Sequence, residues 1–231
     1  MIESASNGRI GFVSVRQAGG VRILTVLEPA ARDEYLALVA PVAPAIESAL
    51  QECVVANRVA RSIADPPELR LRPWRFERRA FGMRLRRLAA SAPTIALADV
   101  RRCYASISPS TVAWILGDLG VGSATAIARF LARLERAGSR GLPVGPTASA
   151  VVANAVLARA DDALRSAGIR HVRWVDDVVM AADDADDARR AIGVLACALT
   201  GLGLRLNAAK TRIVATPADA NAAASRHIRR P

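Results

Sequence analysis

The stretch His171-Val172-Arg173-Trp174-Val175-Asp176-Asp177-Val178-Val179-Met180-Ala181-Ala182 decides the fold. It is apolar on both sides of two adjacent acids and reads as two short strands joined by a tight turn that carries Asp176 and Asp177. Asp-Asp also occurs at 161–162, 183–184 and 186–187, so the dipeptide alone signals nothing. The pair at 161 falls inside a helix pattern. The pairs at 183 and 186 fall at a helix start, where acids complement the macrodipole. Only at 176–177 do adjacent carboxylates lie between β-type runs without cationic neighbours, which is electrostatically costly. A bound divalent cation would relieve that repulsion; an exposed turn is the plain alternative.

Working outward, Ala92 to Val100 (APTIALADV) reads as a buried strand ending in a third acid, Asp99. Three such carboxylates suit a two-metal phosphoryl-transfer site, with ions about 4 Å apart; a cap is the ordinary reading of Asp99 taken alone. Ser108-Pro109 has the chemistry of a helix start. Ile127, Phe130, Leu131 and Leu134 follow helical spacing, and Gly138 stops them. After a Gly/Pro-rich loop at 138–147, Ala148 to Ala167 reads as a small-residue helix and Asp183 to Leu202 as another. Leu204–Leu206 and Thr211–Ala215 read as short final strands. Toward the N-terminus, Ile10–Arg16 and Val21–Leu27 form a hairpin pattern around turn residues 17–20. Pro29 opens a helical pattern that Pro41 and Pro44 kink or break. Residues 65–73 are a break, and Trp74 to Leu88 is a helix candidate bearing Arg75, Arg78, Arg79, Arg84, Arg86 and Arg87. The order of elements is α+β with an antiparallel sheet, for which a split βαβ is one natural arrangement.

The chain has 231 residues, a net charge of +11 and 52% hydrophobic residues. That composition is too apolar for intrinsic disorder and suits one domain or two joined lobes. All the basic residues are arginine except Lys210. Arginine in place of lysine fits a GC-rich codon preference, but the surplus of charge points to a polyanion, nucleic acid before membrane. No basic-then-apolar leader and no membrane span is visible. The three cysteines are odd in number and far apart. They suggest neither a disulfide framework nor a zinc site, and fit a reducing cytoplasm.

Four ordered segments resemble the motifs of reverse transcriptases, especially the bacterial group related to abortive-infection and antiviral-defence enzymes. They are Asp99-Val100-Arg101-Arg102-Cys103-Tyr104; Gly141-Leu142-Pro143-Val144-Gly145-Pro146 running on through Ser149 to Ala153-Asn154; Trp174-Val175-Asp176-Asp177; and Gly203-Leu204-Arg205-Leu206-Asn207 with Lys210-Thr211. The resemblance covers roughly residues 10 to 215 and implies a polymerase palm. Residues 1–92 would be fingers, 93–217 palm with an inserted helical fingers segment at about 109–140, and 218–231 a frayed tail. It implies two Mg²⁺ ions, with Mn²⁺ as substitute, held by Asp99, Asp176, Asp177 and the Val100 carbonyl. Tyr104 would favour dNTPs by clashing with a 2′-hydroxyl. Arg22, and more weakly Arg16, would neutralise the triphosphate, and Val144 and Gly145 would lie at the nucleotide. Pro146, Ser149 and Trp174, with Arg75, Arg78 and Arg79, would face the nucleic acid. Lys210 would protonate the leaving pyrophosphate, which a guanidinium cannot do.

Two positions depart from the family pattern: Val144 replaces a glutamine and Trp174 a tyrosine. No thumb is visible, so the expected partners are RNA or DNA together with a homo-oligomer mate, a separate thumb-like protein or a structured RNA, and no membrane. The alternative function is a non-catalytic RNA-binding scaffold that retains the palm.

Overall fold

A computed structural model of the chain describes residues 10–17, 20–60 and 69–215, with the backbone alone described at 15–17 and 20–23. Residues 18–19 of the expected turn at 17–20, residues 65–68 of the break at 65–73 and the tail from 218 therefore lie outside the described residues. The chain forms two compact units, each assembled from separate segments. The first draws on residues up to Leu50, Val59–Leu71 and Arg102–Val156, and the second on Gln51–Arg58, Arg72–Arg101 and the residues from Leu157 onward.

In the first unit, β1 (Ile10–Gln17) and β2 (Gly20–Leu27) pair antiparallel, Ile10 against Leu27. Pro29 occupies the first turn of α1 (Pro29–Val39). Pro41 and Pro44 then divide the rest of this helical pattern into a 3₁₀ turn, Ala40–Val42, and α2 (Ala43–Ala49), because each proline removes a helix donor. A short helix, α4 (Cys103–Ser106), precedes α5 (Pro109–Asp118), whose Ser108 side chain caps the Thr111 N–H. In α6 (Ala124–Arg136) the predicted stripe Ile127, Phe130, Leu131 and Leu134 is wholly buried. Phe130 stacks on Tyr35 of α1 at 4.8 Å between ring centroids, and Arg133 pairs with Glu34 beside it. Helix α7 (Thr147–Ser166) begins in this unit and passes into the second at Leu157.

The second unit is an antiparallel sheet in the order β4 (His171–Trp174), β5 (Asp177–Ala182), β3 (Thr94–Asp99), β6 (Arg212–Val214). Strand β3 is buried along its whole length, so it reads as a continuous apolar run. Ile95, Leu97, Val172, Val179 and Ala181 face α3 (Trp74–Ala90), which packs on them through Phe81, Leu85, Leu88 and Ala89. Helix α3 therefore falls in the unit that holds the sheet and not in that of the hairpin, whereas the resemblance groups residues 1–92 together as fingers. Its one acid, Glu77, is buried and accepts the Asn57 and Arg58 N–H groups. Helix α8 (Ala185–Gly201) packs on β3 and β5, its N-terminus capped by Asp184. Of the two expected final strands, Arg212–Val214 forms. At 204–206 only Leu206 pairs, in an isolated bridge with Val100. Among the described residues no helix is long and apolar enough to cross a membrane.

Two phenylalanines on α3 separate core from surface. Phe81→Ala should lower unfolding free energy by about 3–5 kcal/mol, whereas Phe76→Ala, at a position 72% exposed, should change it by less than about 0.5 kcal/mol. Urea denaturation of both variants checks the assignment.

Candidate active site

The register of β3 and β5 sets Asp99 opposite Asp177. Strands β4 and β5 pair as far as Trp174 against Asp177, which leaves Val175-Asp176 as a two-residue hairpin loop. Such loops place the first residue at positive φ, and Val175 has φ 55°. That region is normally left to glycine, so a β-branched valine there stores strain on the order of 1–3 kcal/mol. Two hydrogen bonds fix the loop. The Val100 N–H donates to the Asp176 carbonyl at 3.1 Å, and an Arg173 guanidinium N–H donates to the Val175 carbonyl at 2.8 Å. Asp99, Val100, Asp176 and Asp177 are thereby gathered at one end of the sheet.

The segment after α8 closes over Asp99. The Arg101 N–H donates to the Arg205 carbonyl at 2.8 Å and the Asn207 N–H to the Asp99 carbonyl at 2.7 Å. The Asn207 side-chain amide then donates to one Asp99 carboxylate oxygen at 2.8 Å and the Lys210 ammonium to the other at 2.6 Å. Asp99 is nearly wholly buried, while the Lys210 side chain is 45% exposed. Lys210 thus reaches the carboxylates, and Asn207, quoted in the fourth motif without a role, clamps Asp99 through both its backbone and its side chain.

Burial pushes the Asp176 carboxyl up to about 7, helped by the neighbouring charges of Asp177 and Asp99 and opposed by Lys210. The donor set is all hard oxygen, three carboxylates with the Lys210 ammonium paired to Asp99, which is chemistry a divalent cation fits.

Behind the hairpin loop lies a second ionic cluster. Arg173 and Asp161, each 1% exposed, are joined by forked hydrogen bonds of 2.7 to 3.0 Å. His171 donates one ring N–H to the Ile169 carbonyl at 3.1 Å and the other to Asp161 at 3.2 Å. Burial opposes charging His171, but the hydrogen bond to Asp161 and the nearby Cys53 prevail and raise it to about 10. Burial likewise works against ionising Asp161, yet the Arg173 charge and the hydrogen bonds from His171 and Arg173 hold it below the usual carboxylate range. Among the described residues, Cys53, Asp161 and His171 are the three donors whose ligand atoms lie within 4.8 Å of one another. Cysteine spacing gives no hint of this grouping, because the donors come from three remote segments. Here a protonated His171 and the Arg173 fork already satisfy both Asp161 oxygens, so the cluster is complete without an ion. In sequence Asp161 looks like an ordinary helix acid; the only signal available is an acid on the apolar face of a small-residue helix.

The other expected site residues divide between the units. In the first, the Tyr104 carbonyl accepts the Leu142 N–H at 2.9 Å, and the Val144 carbonyl accepts the Thr25 N–H of β2 at 2.9 Å. Gly141 has φ +59°, and a Cβ there would come within 2.4 Å of the Tyr104 carbonyl, so only glycine permits this crossing. Tyr104, Val144 and Pro146 are partly exposed and Gly145 is exposed. Ser149 is wholly buried, its hydroxyl 3.4 Å from that of Tyr35. Arg16 lies on β1 and Arg22 on β2; their side chains are outside the described residues. In the second unit, Arg75 and Arg79 on α3 are exposed and Arg78 is partly buried. Trp174 is half-buried and packs on Phe81 at 5.3 Å between centroids.

An antiparallel sheet with acids at adjoining strand ends, flanked by α3 and α8, is the palm of a nucleotidyl-transferring polymerase. The family described as reverse transcriptase (RNA-dependent DNA polymerase) matches residues 19–224, and the chain belongs to that family. Solved structures of telomerase share the fold. One is telomerase from Candida albicans in complex with a TWJ fragment of telomeric RNA, with TM-score 0.59 and 12% identity over 92% of this chain and 43% of that one. Apo telomerase from Candida tropicalis truncated from the C-terminal domain has TM-score 0.54 and 14% identity over 90% and 49%. The untruncated apo form has TM-score 0.54 and 10% identity over 93% and 46%. The chain spans less than half the length of each of these telomerase chains. No curated protein matches it.

The raised Asp176 carboxyl gives a signed pH dependence. Metal-free native protein keeps this proton up to about 7, while the unfolded chain loses it near 3.8. Between those values the native state binds more protons, so this contribution to stability is whole below the lower value and lost as pH rises through the upper one. Asp176→Asn abolishes the titration. In urea denaturation with EDTA, the variant should gain on wild type between about pH 5 and about pH 8. The His171 contribution is common to both proteins and cancels. An equal gap at both pH values would contradict the assignment.

Proposed function

We propose that the protein is an RNA-directed DNA polymerase that adds dNTPs to a primer or a free hydroxyl. The observation that carries this reading is the strand register that sets Asp99 opposite Asp177 with Asp176 in the adjoining loop. Asp99, Asp176, Asp177 and the Val100 carbonyl would hold two Mg²⁺ ions. Bound there, divalent ions would activate the attacking hydroxyl and offset charge on the leaving pyrophosphate. The remaining roles belong to the chain itself. Lys210, already at the carboxylates, is the proton donor to pyrophosphate. Tyr104, pinned by its carbonyl to the 141–142 turn, disfavours a 2′-hydroxyl, and Arg16 and Arg22 neutralise the triphosphate. The surplus of arginine on α3 suits an RNA or DNA backbone, with Arg75, Arg78 and Arg79 as the phosphate contacts and Pro146, Ser149 and Trp174 toward the strand. The hairpin and helices of residues 1–92 and the inserted helical segment at about 109–140 serve as fingers, and the remainder of 93–217 as palm. A second copy, a thumb-like protein or a structured RNA completes the cleft. Likeness of the four motifs to bacterial abortive-infection enzymes supports a role in antiphage defence in the cytoplasm.

The exposed arginines of α3, with Trp74 and Phe76 standing out beside them, favour one other reading, a scaffold that binds RNA without turnover. The two separate in a single assay of purified protein with Mg²⁺ or Mn²⁺, labelled dNTPs or rNTPs and RNA. The polymerase incorporates dNTPs, and Asp176→Ala or Asp177→Ala removes incorporation. Lys210→Arg, which keeps the charge, slows nucleotide addition by about 10²-fold. Tyr104→Ala raises rNTP use. Incorporation equal in wild type and Asp176→Ala would sink the polymerase reading, and salt-sensitive RNA binding with no turnover under either metal would establish the scaffold.

A further inference from the structure

The strained loop that carries Asp176 is held by a group that the reaction itself does not require. Val175 occupies a backbone region that valine disfavours, at φ 55°, and a strained conformation persists only where its surroundings over-determine it. On the β4 side, the partner of its carbonyl is Arg173, at 2.8 Å. Arg173 cannot swing away, because the opposite edge of its guanidinium is forked onto Asp161 at 2.7 to 3.0 Å, with both side chains 1% exposed. Its backbone is fixed as well: the Arg173 N–H donates to the Cys53 carbonyl and its own carbonyl accepts the Val55 N–H. Asp161 is fixed in turn by His171 and by its place on α7. A rigid chain of contacts thus runs from α7 through Asp161 and Arg173 to the Val175 carbonyl, one peptide from the candidate catalytic carboxylate.

We propose that Arg173 and Asp161 form a strut whose task is to hold the Val175-Asp176 peptide in its strained conformation, and so to aim Asp176; both are positioning residues. The inference rests on the reading of Asp176 as a metal-binding carboxylate. A buried ion pair is weak evidence for stability, since a well-packed apolar pair often serves as well. A fixed fork does what an apolar pair cannot, since it donates to a carbonyl in one direction while anchored in the other. Lysine at 173 retains the charge and can pair with Asp161, but it has no second, rigidly placed donor for Val175.

The test is a double-mutant cycle between Arg173→Lys and Val175→Gly. Glycine adopts positive φ freely, so in the Val175→Gly background the loop no longer needs the strut. Folding of each variant is checked by thermal melting. If Arg173→Lys does not fold, the neutral pair Asp161→Asn/Arg173→Met, which removes both buried charges together, takes its place. Two readouts are taken: kcat and KM for dNTP, and Mn²⁺ affinity by electron paramagnetic resonance for the ion that Asp99→Ala abolishes. Arg173→Lys should lower kcat by about 30-fold while KM stays within about 3-fold, as expected for misplacement of a reacting group, and should weaken Mn²⁺ binding. In the Val175→Gly background both effects of Arg173→Lys should shrink to less than about 3-fold. Equal losses in the two backgrounds mean a merely structural role and overturn the proposal, as does a wild-type kcat in Arg173→Lys. If wild type binds Mn²⁺ but adds no nucleotide, the polymerase reading falls and the Mn²⁺ cycle alone decides the strut. A wild type that binds no Mn²⁺ overturns both.

Discussion

Repulsion among three carboxylates at adjoining strand ends is the constraint around which the second unit is organised. Asp99, Asp176 and Asp177 are drawn together by strand register and not by mutual attraction. Other groups must therefore hold them in place. Asp99 is clamped by Asn207 and Lys210. Asp176 is fixed through its carbonyl by Val100 and through the preceding peptide by Arg173. At Asp176 burial and the acidic neighbours outweigh Lys210 and push the carboxyl up to about 7. That arrangement is the ground on which we propose a divalent-cation site at these carboxylates.

The apolar framework explains why the acids cannot separate. Strand β3 is buried over its full length, with α3 packed on one set of its side chains and α8 also packed against β3 and β5. A slip of one residue would replace Ile95 and Leu97 against α3 by the small Ala96 and Ala98, so the register that opposes Asp99 to Asp177 is favoured by packing along the strand.

Much of this was legible in the sequence because it depended on local chemistry. The hairpin, the proline breaks, the Ser108 cap, the buried stripe of α6 and the two strands around Asp176 each come from periodicity or a capping residue, and each is found. The features that stayed hidden depended on tertiary meeting. Asp161 is marked off from Asp162 only by falling on the apolar face of its helix, yet one is sealed in the core with Arg173 and the other pairs with Arg165 in a largely exposed ion pair. The Asn207 clamp requires the chain to return to β3. The grouping of α3 with the sheet is set by Phe81, Leu85, Leu88 and Ala89 meeting partners far away in sequence. The strain at Val175 was invisible too, since a valine in a β-rich run signals strand and not a glycine-like turn.

The most direct test of the central claim is anomalous diffraction from crystals grown with Mn²⁺. The account predicts anomalous peaks within about 2.2 Å of carboxylate oxygens of Asp99 and Asp176, with Lys210 displaced from Asp99. Crystals that diffract well yet show no peak at these carboxylates, or a peak only beside Cys53 and His171, would contradict it.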